Sequence, residues 1–311
     1  MNLYDACPGR RIQRGGIPLK RILTCFLPLG IPLLIFRLGT LRNTDPRTGY
    51  YLGGHPVLCI AVLCFLILFC LAFALLAKRE ADRTAIDIPF LQSVFQKAPL
   101  VLSAALSILL ILFRVPQVLS GERIQTILLL IYLVFHGLAA WSFLIIAFDL
   151  PEGPATLSDL LDAAPAAAFA SELLLRYSVS PINLHDSVSV LRVICACALA
   201  MGWLRAASSL IGSDRKAFAV SAGTGLFAFF CCTVFQLPEL PLLRCFSAAD
   251  NLELMLQSAA SVALLIFLSC MIPLPASGSE KMIFRKDETE LPDRNPNHLT
   301  DTPVPSINTE E

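Results

Sequence analysis

Apolar residues along this chain come in long uninterrupted blocks, and most of the charges fall in the gaps between them. From Ile60 to Ala77, eighteen residues pass with no charge and no strongly polar group other than cysteine. Ile127 to Phe148 is almost as pure. About eighteen or more uncharged apolar residues suffice for a helix to cross the hydrocarbon core of a bilayer. Barrel strands would alternate polar and apolar positions in segments of about ten residues. These blocks do not alternate, so the pattern predicts helices. Seven spans are clear: Ile22–Leu38, Val57–Ala77, Pro99–Leu119, Ile124–Phe148, Val188–Ile211, Ala217–Gln236 and Leu252–Ile272. The expected fold is all-α, a polytopic transmembrane helical bundle over 22–272. A cytoplasmic segment over 1–21 precedes it, and a disordered cytoplasmic tail over 273–311 follows.

An eighth stretch, AAPAAAFASELLLRYSVSP over 163–181, is apolar but carries Glu172 and Arg176. Lysine and arginine prefer the cytoplasmic side of short loops. With the N-terminus inside and this stretch not crossing, eleven Lys and Arg fall inside and eleven outside. With the stretch crossing, fifteen fall inside and seven outside, and Arg192 and Arg205 lie within a span. Twenty residues from Leu160 to Val179 make a helix of about 30 Å, enough to cross. Pro165 then sits in the first turn, where its missing N–H matters least. Glu172 and Arg176 stand four apart and can pair on one face. The alanines with Ser171 give a flat surface for a neighbouring helix. Eight spans are therefore favoured over seven, which places both termini in the cytoplasm of a multi-pass cell-membrane protein.

Composition agrees with the pattern. Hydrophobic residues make up 56% of the 311 and charged residues 15%, against about 25% charged in soluble domains. Twenty-four basic and twenty-four acidic residues give zero net charge, with no basic face to suggest a nucleic-acid partner. Arg10 and Arg11 precede an apolar run, as in an export signal. The following RLGTLRNTDPRTGYY has three arginines and no small-residue cleavage site, so the first block reads as an uncleaved span. Eleven cysteines fall mostly within the blocks, with no CxxC spacing and no histidine cluster, so neither metal nor cofactor is expected. The outer loop Thr40–His55 is rich in turn residues. The tail from Pro275 holds five prolines and many charges, a composition that does not fold alone.

Candidate chemistry is sparse. His136 falls in LVFHGLAAW near the middle of the fourth span, where an ionisable group is a functional candidate by default. Tyr132 stands one turn away. Glu172 is the second candidate, with an ion pair to Arg176 as its plainer role. Pro28 and Pro32 should bend the first span and free backbone carbonyls, as at some transporter sites. Arg192 and Arg205 lie near span ends and are expected to snorkel. Arg114 and Glu122 are expected to be solvated. Gly223-x-Gly225-x-x-Ala228 mimics a dinucleotide fingerprint but lies in an apolar span without a preceding strand. Ala219, Ser221, Gly223 and Gly225 instead form small-xxx-small pairs for close packing. HExxH, GxSxG and GxxxxGK[ST] are absent, which argues against an enzyme. The expected function is a small-solute permease or transporter component, with His136, Glu172, Tyr132, Pro28 and Pro32 as solute-contacting residues. The alternative is a non-catalytic membrane sensor, assembly or scaffold protein. The expected partners are the lipid bilayer, a small solute and, on the alternative, another protein.

Overall fold

The computed structural model describes residues 19–45, 56–82, 91, 93–120, 123–148, 155–179, 187–212, 214–242 and 247–271. The first span begins as α1 (Leu19–Phe26), tightens into a 3-10 turn over Leu27–Leu29, and continues as α2 (Gly30–Arg42). The turn falls at Pro28, which has no N–H to give and whose ring crowds the carbonyl four residues back. Then come α3 (Pro56–Ala81), α4 (Val94–Ser120), α5 (Arg123–Phe148), α6 (Ala155–Val179) and α7 (Ser187–Gly212). Helix α8 (Arg215–Phe229) is capped by Asp214, whose side chain accepts the Lys216 amide, and widens into a π-helical segment over Phe230–Gln236. A short α9 (Glu239–Leu242) leads to α10 (Ala248–Met271). No strand occurs among the described residues.

Helices α4, α5, α6, α7, α8 and α3 follow one another in contact, and α10 packs against α4, α7 and α8. Helix α10 buries most of its length, whereas the first span buries little. Contacts at matched depth fix the direction of each helix. Asp82, just past α3, meets Arg215 at the start of α8, and Phe69, midway along α3, meets Phe230 just past the end of α8, so α3 and α8 are antiparallel. Helices α5, α7 and α10 run together. Tyr132 bonds Glu253 and Arg192 pairs with Asp250 towards one end, while Phe143 and Phe267 flank Trp203 towards the other. Helix α8 opposes α10: Ser258 bonds the Cys232 carbonyl, while Gly225 lies against Leu264 and Leu268. Helix α4 also opposes α10, since Arg114 near its end reaches Glu253 near the start of α10.

Helix α6 opposes α5 and α10. Its Arg176, three residues from the end, bonds Glu253, and Phe169 lies beside His136 at the middle of α5. The first span runs with α8, with Gly30 against Phe230 and Val234 and Arg37 against Phe235 and Glu239. Direction therefore reverses at every step through eight helical rods.

Seven of the rods are long and apolar enough to cross a membrane, and they are the seven blocks of the sequence. The protein is a multi-spanning membrane protein of all-α architecture. Helix α6 is not among those seven, yet it has 25 residues and packs along both α5 and α7. It lies antiparallel between them, in the position that an eighth span would take. Helix α6 also starts earlier than its apolar run suggests. Pro165 accordingly lies in the third turn, buried, rather than in the first. The N-terminal segment, most of the Thr40–His55 loop and the tail from residue 272 lie outside the described residues.

The alternation makes a direct topological prediction. A reporter active only outside the cytoplasm should give the same result after Asp82 and after Ser213, and the opposite result after Gly121. Opposite results after Asp82 and Ser213 would leave α6 on the surface.

Candidate functional site

Helix α10 carries Asp250, Glu253 and Gln257 at spacings of three and four, which puts all three on one helical face. That face meets side chains of four other helices, three of them arginines and one a tyrosine. Arg114 of α4 donates through Nη2 to Glu253 Oε1 at 2.7 Å, and the Tyr132 hydroxyl of α5 donates to the same oxygen at 3.0 Å. Arg176 of α6 donates through Nη2 to Glu253 Oε2. Its Nε donates to Glu172 Oε1 at 3.0 Å. Gln257 Nε2 donates to that same Glu172 oxygen at 2.7 Å. The result is a chain of alternating charge, Arg114, Glu253, Arg176, Glu172, ending on an amide. Closer to the rim, Arg192 of α7 donates to Asp250 at 3.0 Å, and Asp250 accepts from Ser247.

The carboxylates are the deepest charges: Glu172 is 1% exposed and Glu253 2%. The arginine side chains of positions 114 and 176 keep 18% and 21% exposure, so the chain descends from the rim into the bundle. Charges at membrane depth face the bundle interior and pair with one another because an isolated one is expensive in hydrocarbon. Each member here has a partner of opposite sign, and together they are neutral.

Below the charges sits His136, fourteenth of the 26 residues of α5 and 1% exposed. Its ring packs 4.2 Å from that of Tyr132 and edge-on to Phe169 at 6.4 Å. Neither ring nitrogen has a hydrogen-bond partner among the described residues, and Gln257 Oε1 is likewise unpartnered. Buried polar groups in folded proteins are overwhelmingly bonded, so such orphans call for a role or a missing ligand.

The structure thus brings together His136, Tyr132 and Glu172 from the sequence-derived set. It does not bring Pro28 and Pro32 to them. Both prolines are exposed on the first span, which packs mainly on the π-helical segment and, through α1, on α3. Two anchoring expectations change. Arg192 is 4% exposed and ion-paired rather than snorkelling, and Arg114 turns into the bundle toward Glu253 rather than into solvent. Arg205 is exposed, as a snorkelling residue would be. Glu122 lies outside the described residues. Glu253 and Gln257 were missed from sequence, though the polar stripe of α10 was there to be read.

A second buried pair lies near the same end of the bundle. Arg37 bonds Glu239 and donates through Nε to the Phe235 carbonyl at 2.9 Å. Among the described residues no group of three or more His, Cys, Asp or Glu could hold a metal ion. Cys25, Cys64, Cys70, Cys195, Cys197, Cys231, Cys232 and Cys270 are free thiols. No family model matches the chain, and no curated protein and no solved structure matches it either.

Proposed function

We propose that the protein is a permease or transporter component for a small polar solute, set in the cell membrane with both termini in the cytoplasm. One observation carries this reading: a buried chain of charges descends from one end of the bundle to Glu172 and Gln257, and one turn beyond its member Tyr132 stands His136, an unpartnered imidazole at mid-depth. A bundle built for stability alone gains little from such a chain, because buried ion pairs are often no better than apolar residues of the same volume. Paired charges that end in open hydrogen-bonding capacity suit binding and release. The groups are set out as complementary ion pairs, which supports a carrier rather than an enzyme. The orientation rests on the fifteen-to-seven excess of Lys and Arg on the side of the termini. The alternative, a non-catalytic sensor, assembly or scaffold protein, draws on the fact that the four charges already satisfy one another.

The test is a screen of small polar solutes for thermal stabilisation of the purified full-length protein, repeated on His136→Phe. Stabilisation by a ligand follows its occupancy of the folded state. The substitution breaks no hydrogen bond and keeps a ring of similar bulk, so the unliganded protein should melt within a few degrees of the parent. The solute-dependent increment should vanish. Stabilisation that survives His136→Phe, or none from any polar solute, removes the carrier reading.

A further inference from the structure

We propose that the solute is a zwitterion bearing one ammonium and one carboxylate a few bonds apart, of the class of free amino acids, bound by an exchange of partners within the Arg114–Glu253–Arg176–Glu172 chain. This rests on the carrier reading and names the substrate class of the same site.

The first support is charge balance. Two guanidinium groups face two carboxylates, and Arg192 with Asp250 forms a separate neutral pair at the rim. In a low-dielectric interior, one uncompensated charge is far costlier than in water. A solute with net charge would leave the site unbalanced by its whole charge. A zwitterion does not: its carboxylate takes a guanidinium, its ammonium takes a carboxylate, and every ion pair opened is replaced by another.

The second support is the match of donors and acceptors. Arginine presents paired N–H groups that fit a carboxylate, and Arg114 and Arg176 already hold one, that of Glu253. An ammonium has three donors and no acceptor. The deep end offers it Glu172, the unpartnered Gln257 Oε1 and one nitrogen of a neutral His136. One ligand group thus meets two of the orphaned atoms of the site, Gln257 Oε1 and one ring nitrogen of His136.

The third support is spacing. Arg176 touches Glu253 with one nitrogen and Glu172 with another, so positive and negative sites lie within one guanidinium of each other. A ligand whose charges are separated by one or two carbons fits that spacing. A long ω-amino acid does not.

Partner exchange moves no net charge, so transport should be indifferent to membrane voltage and to a proton gradient. The experiment uses the full-length protein, in detergent for binding and in proteoliposomes for uptake. The probes are glycine, L-alanine, L-leucine and L-glutamine, each beside its methyl ester at pH 6 and its N-acetyl form, which carry one charge only. A panel of sugars and simple amines accompanies them. At least one amino acid should bind, with its single-charge relatives weaker by about tenfold or more, equivalent to about one unit in log Kd. Its uptake should not change when voltage or pH gradient is imposed. Arg114→Gln with Glu253→Gln keeps the site neutral and should fold, but lose binding by a similar factor. Glu172→Gln, which still accepts from Gln257, should do the same. Equal binding of a single-charge relative, or voltage-driven uptake, overturns the zwitterion. So does His136-dependent binding of a sugar or amine in place of an amino acid, although the carrier reading then stands. Silence from every probe overturns both.

Discussion

Glu253→Ala is expected to destabilise the bundle by about 3–5 kcal/mol, the usual consequence of stripping one partner from a buried ion pair. The carboxylate is 2% exposed and receives three donors from three helices, Arg114, Tyr132 and Arg176. Its removal leaves Arg176 with Glu172, but leaves Arg114 with no carboxylate at membrane depth. Loss of neutral hydrogen bonding explains little of the effect, because side-chain bonds in membrane bundles average about 0.6 kcal/mol. Tyr132→Phe, which deletes one hydrogen bond to the Glu253 carboxylate and no ion pair, separates hydrogen bonding from charge pairing. Arg114→Met combined with Glu253→Leu removes the pair together, and should cost less than the sum of the two single substitutions, recovering most of the loss. Reversible unfolding in mixed micelles measures the parent, these three variants and the two single substitutions Arg114→Met and Glu253→Leu that the interaction energy requires. If Glu253→Ala costs no more than Tyr132→Phe, the guanidinium finds water easily and the site is wetter than its burial implies.

The blocks of the sequence and the rods of the fold coincide because hydrocarbon admits so few solutions. A segment that must satisfy every backbone group internally, in an apolar solvent, becomes a helix of about twenty residues. That logic located seven spans within a few residues. It is weakest at α6, where Glu172 and Arg176 dilute the apolar signal, and there only the distribution of distant lysines and arginines favours a span. The structure adds what hydropathy cannot express: α6 carries those charges because they face Glu253 and Gln257 rather than lipid. Pairing between helices is the part the sequence hides. Glu172 with Arg176 was legible, since both sit on one helix at a spacing of four. Arg114 with Glu253, 139 positions apart, was not. An arginine near a span end looks the same whether it snorkels outward or turns inward, and only the neighbour decides. The prolines of the first span misled for a related reason. A kink is visible in sequence, but the face it turns toward is not.

Gly223→Ala is expected to cost about 1–3 kcal/mol, the range for forcing an extra carbon into a packed interior, while the seemingly tighter Gly202→Ala costs less. A methyl group on Gly223 would stand 2.8 Å from the Cβ of Ala74 and 3.1 Å from the carbonyl oxygen of Cys70. Both obstacles are fixed to the backbone of α3, so relief requires moving one helix off another along an interface continued by Phe69 and Phe230. A methyl group on Gly202 would meet Leu264 Cδ2 at 2.6 Å, which is closer, but that atom is the far end of a side chain with rotamers to spare. Distance alone would rank the two substitutions the other way. Ala74→Gly in the Gly223→Ala background removes the 2.8 Å obstacle and leaves the 3.1 Å one, so it should restore part of the stability and not all. Melting temperatures of the four proteins, at matched detergent, decide the order. Should Gly202→Ala prove the more damaging, α7 and α10 would be the rigid pair of the bundle, and α3 would be free to ride outward on α8.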